Sequence, residues 1–298
     1  MIIVKIMGGL GNQMFQYALA RKIELSKKVT VKLDISWFNN FDKKTTPRYY
    51  SLPKFNIIES IATEQEIKKF QKYKKIPGRR HFLHNFFIAN NSIYIEEKKA
   101  SFNNILQNVK DNTYLYGNWQ TEKYFKDIQG TIRKELSLKE EPSNNYKKNL
   151  ESIKQKRKSS VSIHIRRGDY TLPEIEDRIG ICSLDYYVRS IKKINDIIPN
   201  PHFFIFTDDV EWVKNNLKLN YPATFVSSQE NTNHSNKDYE ELLLMSKCSH
   251  NIIANSTFSW WGAWLNINPD KIVIAPKKWY KKPMKNSENK SLDSWVEL

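Results

Sequence analysis

His164, Arg166, Arg167, Asp169 and Tyr170 crowd into HIRRGDY (164–170), at the end of a short apolar run. Adjacent guanidiniums repel, so holding both in place requires an anion between them or carboxylates that answer them. In VSIHIR the period of two puts Val161, Ile163 and Ile165 on one face of a strand and Ser162, His164 and Arg166 on the other. His164 and Arg166 then point the same way at the strand's mouth, with Arg167 to Tyr170 as the loop beyond. The plainer alternative is a structural Arg–Asp pair beside a buried histidine. The tripeptide RGD alone carries no information.

Two further strand ends carry reactive side chains. FFIFTDD (203–209) finishes on Asp208 and Asp209, and adjacent acids there can hold a metal, cap the next helix, or accept hydrogen bonds from a base or ribose. Capping suits Asp209. Asp208 is assigned to a guanine edge, whose N–H groups a carboxylate accepts in pairs. The chain contains no Asp-x-Asp. NIIANSTFSWWGAWL (251–265) runs from strand to Ser-Thr to an aromatic helix. Hydroxyls at a helix start are caps, and the N–H groups there can seat a phosphate. That nominates Asn255, Ser256, Thr257 and the Phe258 amide, while Phe258, Trp260, Trp261 and Trp264 also suit a core.

The glycine turn GGLGNQMF (8–15) resembles a dinucleotide fingerprint but has Met14 where the third glycine should stand. No Gly-Lys-Ser/Thr follows, so it is not a P-loop. What remains is close backbone approach at Gly9 and Gly11, with Asn12 the polar side chain best placed to meet a ligand at the helix N-terminus.

The elements that must position these residues follow from periodicity. IIVKI (2–6) is a compact strand, a helical pattern runs through Met14, Phe15, Ala18, Leu19 and Ile23, and VTVKLDI (29–35) is a second strand. Residues 36–125 are aromatic-rich and lysine-rich, with a helix expected at 63–75. Beyond a basic stretch at 139–158, strands at 161–166, 203–207, 223–227, 251–254 and 271–275 alternate with helices near 184–198, 209–218, 237–247 and 257–265. That alternation predicts a parallel sheet wound on both faces. The fold expected is α/β in two halves.

At 298 residues with 40% hydrophobic content, the chain has material for two medium cores. It contains no apolar run long enough to span a bilayer and opens without a signal-peptide pattern, so a soluble cytoplasmic protein is expected. Cys182 and Cys248 are too few for a disulfide framework or a cysteine-rich zinc site. The net charge of +16 suits anionic partners. It concentrates at Lys68, Lys69, Lys72, Lys74, Lys75, Arg79 and Arg80, and at Lys147, Lys148, Lys154, Lys156, Arg157 and Lys158. Such runs usually solvate a surface. The first cluster would also suit peripheral contact with an anionic membrane. A nucleic-acid-binding protein is the rival class, but no zinc-finger spacing, RNP signature or basic heptad helix supports it.

Taken together, GGLGNQMFQYA (8–18), HIRRGDY (164–170), FTDD (206–209) and NSTFSWWGAWL (255–265) resemble the bacterial α-1,2-fucosyltransferases of glycosyltransferase family 11. The resemblance implies a GT-B type fold, two Rossmann-like domains facing across a cleft: an acceptor-side domain over 1–145 and a GDP-fucose-binding domain over 146–298. It implies GDP-β-L-fucose as donor, no metal or other cofactor, and a β-galactoside oligosaccharide or lipid-linked glycan of O-antigen synthesis as acceptor. By resemblance, Arg166 acts on the β-phosphate and His164 lies near the ribose or phosphate. Ser256, Thr257 and Phe258 hold the diphosphate, and Asn12 approaches the leaving phosphate. Arg167, Asp208, Asn255, Gly9 and Gly11 complete the expected donor site. Asp169 is the candidate to take the acceptor's proton, or it orients the arginines.

Overall fold

The computed structural model describes residues 1–39, 48–71, 93–97, 106, 109–226, 237–282 and 290–298. Those up to Lys139 form one compact unit and those from Glu140 onward another. The division falls ahead of the expected boundary after 145 for a local reason. The Ser143 hydroxyl caps the helix that begins at Asn144, and its N–H and Oγ both bond Glu240 of the second unit.

In the first unit, β1 (Ile2–Lys5), α1 (Leu10–Lys27), β2 (Val31–Asp34), α2 (Glu64–Gln71), β3 (Ile93–Glu96), β4 (Thr113–Tyr116) and α3 (Gln129–Glu135) follow in order. The strands make a parallel sheet of order β2-β1-β4-β3. Met14, Phe15, Ala18, Leu19 and Ile23 are buried, as the helical period requires. So are Gln13 and Gln16, which the period does not predict. Buried amides must find partners, and these two tie loops together. Gln13 donates to the Gly8 and Tyr49 carbonyls and accepts from Ser51 N. Gln16 accepts from Met7 N and donates to Gly117 O. The helix expected at 63–75 is described only to Gln71, and Lys72, Lys74, Lys75, Arg79 and Arg80 of the basic cluster lie outside the described residues.

The second unit runs α4 (Asn144–Gln155), β5 (Ser160–Ile165), α5 (Pro173–Arg178), α6 (Leu184–Asn195), β6 (His202–Thr207), α7 (Val210–Asn216), β7 (Ala223–Phe225), α8 (Asp238–Met245), β8 (His250–Ile252), α9 (Thr257–Leu265), β9 (Val273–Ala275) and β10 (Val296–Glu297). Its parallel sheet has the order β10-β9-β8-β5-β6-β7. Val161, Ile163 and Ile165 pack with Tyr186, Tyr187, Ile191 and Ile194 of α6 on one face. On the other, Ser162 bonds Asn251 and the His164 ring meets Phe258 of α9. Both faces are covered, as a parallel sheet demands. Trp260, Trp261 and Trp264 are core filling, stacked or edge-on to one another. Among the described residues no helix is long and apolar enough to cross a membrane.

Both sheets have a switch point, where the chain leaves one side of a strand and resumes on the other. It lies between β1 and β4 in the first unit and between β5 and β8 in the second. Ligands of open parallel sheets bind at the carboxyl ends of strands flanking such a point. Those ends carry the glycine turn and the loop 117–120 in one unit, and Arg166 with residues 253–256 in the other.

Candidate active site

Arg166 leaves the end of β5 and is met by two carboxylates. Asp208, from the end of β6, lies 2.7 Å from its Nη1, and Asp169 accepts from its Nη2. Tyr170 sits beneath the guanidinium, 5.4 Å from the ring centroid. Burial works against the charge, but the Asp208 and Asp169 carboxylates more than offset it, so Arg166 holds its proton more tightly than an ordinary arginine. Gly168 makes this closeness possible: a Cβ there would stand 2.4 Å from Asp208 Oδ2. A guanidinium has more N–H donors than these two contacts engage, so Arg166 can still grip a further oxyanion.

Arg167 turns the other way. Its guanidinium lies 3.6 Å from the ring centroid of Trp212 on α7 and its Nε is 3.0 Å from Asp209. Asp209 also caps α7 by accepting from Trp212 N at 3.1 Å. Its side chain thereby fastens the loop to α7. Asp208 accepts from Arg167 N at 2.8 Å while holding Arg166, so its carboxylate organises the arginine loop.

His164 is buried at the same strand end, its ring centroid 5.5 Å from that of Phe258. Burial, reinforced by the Arg166 charge, pushes its pKa down to about 3, so the ring is neutral at physiological pH. Its Nδ1 is buried with no hydrogen-bond partner, which departs from the satisfied core histidine of the plainer alternative and leaves a polar atom for a ligand to meet. At the start of α9, the Ser256 hydroxyl caps by accepting from Phe258 N at 3.3 Å. That hydroxyl and amide thus satisfy each other, and Thr257 is the half-exposed hydroxyl of this turn.

The buried amide of Asn255 donates to the carbonyls of Gly180 (3.0 Å), Trp279 (3.3 Å) and Ile179 (3.4 Å), and its Oδ1 accepts from Cys182 Sγ, so it knots three loops together. Asp169 accepts from Arg166 Nη2.

In the first unit the turn glycine is Gly8, whose φ of +78° lies in the left-handed region. Gly9 is extended, with φ −71°, and is the cap position of α1. A Cβ on Gly9 would lie 3.7 Å from Nη1 of Arg48, a cation the sequence pattern did not single out because TTPRYY has no period. Gly11 and Asn12 lie in the first turn of α1, and Asn12 Oδ1 accepts from Gln120 Nε2 at 2.8 Å. Among the described residues, no three His, Cys, Asp or Glu side chains gather to hold a metal ion.

The arrangement is suited to holding an anion at strand ends by directed N–H groups beside a neutral imidazole. The family model for Glycosyl transferase family 11 matches residues 1–298. The O-antigen biosynthesis glycosyltransferase WbnK of Escherichia coli is 34% identical, covering 98% of each chain. The α-1,2-colitosyltransferase of Escherichia coli is 30% identical over 100% of this chain and 98% of its own. Human galactoside α-(1,2)-fucosyltransferase 1 is 24% identical over 51% of this chain and 42% of its own. Among solved structures, the α-1,6-fucosyltransferase NodZ of Bradyrhizobium, soaked with GDP-fucose, has a TM-score of 0.51 at 14% identity, with 89% of this chain and 91% of that one covered. Arabidopsis thaliana FUT1 in complex with GDP has a TM-score of 0.52 at 12% identity, with 92% and 70% covered. These two share the fold, GT-B in type. With its whole length matched by the family model, the chain belongs to glycosyltransferase family 11.

Proposed function

We propose that the protein transfers L-fucose from GDP-β-L-fucose to the 2-hydroxyl of a terminal β-galactoside, with inversion and without a metal ion, during O-antigen assembly. The observation that carries this is Arg166, fixed between Asp208 and Asp169 at the switch-point end of β5, beside the unpartnered Nδ1 of His164. Breaking the sugar C1–O bond leaves negative charge on GDP, and a catalyst gains by stabilising charge that appears in the transition state. Arg166 supplies charged N–H donors to the departing phosphate, and the N-terminus of α9 with Thr257 adds its dipole. Asp169 and Asp208 hold Arg166 in place. The names of the relatives, and the GDP-fucose and GDP in the structures that share this fold, support the choice of donor. A lipid-linked acceptor suits the exposed basic surface of Lys147, Lys148, Lys154, Lys156, Arg157 and Lys158.

A second donor is favoured by one specific observation, the match along the whole chain to an α-1,2-colitosyltransferase. Colitose is fucose without its 3-hydroxyl, so the two donors differ at one polar group. The test is mass-spectrometric product mapping with GDP-fucose and GDP-colitose against lactose, lacto-N-biose and N-acetyllactosamine, in excess EDTA. One α-1,2-linked product is expected, and R166A should reduce turnover by at least about 10²-fold while remaining folded. Complete dependence on a divalent ion, or a fully active R166A, would overturn the mechanism.

A further inference from the structure

We infer that Gln120 is a positioning residue that decides which way round the Asn12 amide is held. The inference rests on the assignment of Asn12 to the leaving phosphate. An asparagine amide has an accepting end and a donating end of nearly equal size, and only its partners choose between them. Gln120 Nε2 donates to Asn12 Oδ1 at 2.8 Å. The Nδ2 end then lies on the side of Gly8, 2.8 Å from where a Cβ of that residue would stand. Gly8 has no side chain there, and its φ of +78° suits no other residue well. A phosphate oxygen accepts and never donates, so a site for it requires Nδ2 to lead.

The loop carrying Gln120 is held from several sides. It follows β4 at the switch point with β1. Gln16 donates to Gly117 O at 3.1 Å, and the Glu97 carboxylate accepts from Asn118 N at 2.7 Å and Trp119 N at 3.0 Å. A Cβ on Gly117 would come within 2.5 Å of Glu97 Cβ, so the carboxylate side chain and the loop are in full contact. Trp119 is held at φ +56° with its ring completely buried. A bulky residue in that region costs about 1–3 kcal/mol and persists only where its surroundings over-determine it. The outcome of these restraints is the placement of one amide, that of Gln120, on Asn12.

The test compares N12A, Q120A, Q120E, Q120K and the double variant N12A/Q120E by steady-state kinetics with GDP-fucose and GDP-colitose, reading GDP release, with thermal melts to establish folding. N12A should lower kcat about 10²-fold. Q120A should lower kcat about 10-fold with KM little changed, because the amide is freed rather than removed. Q120E should be worse than Q120A, since a carboxylate only accepts and turns Asn12 round. Q120K keeps a donor and should exceed Q120E. In the N12A background Q120E should cost nothing more. With N12A impaired, a Q120E as active as Q120A, or losses that multiply in the double variant, would overturn the inference alone. A fully active N12A, or no turnover of either donor, would remove the assignment of Asn12 and the inference with it.

Discussion

Replacing Gly168 by alanine leaves every charged group of the site in the chain and tests only where Arg166 is held. The added Cβ would lie 2.4 Å from Asp208 Oδ2 and 3.1 Å from its Cγ. Ordinary contact is about 3.4 Å, so Asp208 must retreat by roughly 1 Å. It cannot do so cheaply. The same carboxylate is 2.7 Å from Arg166 Nη1 and accepts from Arg167 N at 2.8 Å, and both contacts lengthen together. Losing one hydrogen bond to a charged group costs about 2 kcal/mol, which for a unit of this size lowers the melting temperature by roughly 4–8 °C. A 1 Å displacement of a positioning group can cost about 10²-fold in rate. G168A should therefore lose about 10²-fold in kcat/KM for the nucleotide sugar, measured by GDP release, with a modest drop in thermal stability. The cause can be isolated: D208A removes the clash, so G168A/D208A should match D208A alone rather than combine both losses. A G168A enzyme with unchanged kcat/KM would refute the claim that the carboxylate clamp sets the working position of Arg166.

Arg167→Ala removes the stack on Trp212 and the pair with Asp209, so it should cost about 1–2 kcal/mol of stability and leave turnover within a few-fold of normal. Thermal melts beside kinetics separate it from R166A, and a catalytic loss as large as that of R166A would count against the structural assignment. For His164, the pKa falls from its ordinary value of 6.5 to about 3 on folding. The unfolded chain therefore binds the extra proton, and the stabilising effect is complete above about pH 6.5 and lost as pH falls toward 3. About 2 kcal/mol should disappear between pH 7 and 5. H164N should lose less over that interval in urea titrations, although His202 and His250, also shifted down, keep part of the slope in both proteins. Equal slopes in the two proteins would mean that His164 is not held neutral by burial.

The strand ends were legible because strong periodicity delivers them. VSIHIR alternates, FFIFT is continuously apolar, and each is followed by charged or hydroxyl residues that have no place in a core. What those residues do once delivered was much less legible. Arg166 and Arg167 are adjacent and identical in type, yet one faces Asp169 and Tyr170 while the other stacks on Trp212. That divergence comes from the backbone at Gly168 and from two acids 41 and 42 positions along the chain, so no local pattern encodes it. The contacts of Asn255 were hidden for a similar reason. It stands beside Ser256 in the motif, but its partners at Gly180, Cys182 and Trp279 are loop atoms without sequence signature. The four-residue strands β3 and β4 carry too few alternations to be seen among aromatic and polar neighbours, and with β4 unseen, Gln120 had no strand end to belong to.

The global charge points one way and the site another. The chain carries +16, which invites an argument from attraction for anions. At the end of β5, however, Arg166 and Arg167 are answered by Asp169, Asp208 and Asp209, leaving the cluster with one carboxylate in excess. An anion arriving there gains little from net charge and must be recognised by the direction of individual N–H groups. Under the proposed reaction that arrangement has a use. A strongly positive pocket would bind the intact diphosphate and the departing GDP alike, which deepens ground-state binding without speeding bond breaking. An arginine already balanced by carboxylates discriminates by position, and favours the oxygens on which charge grows as the C1–O bond opens.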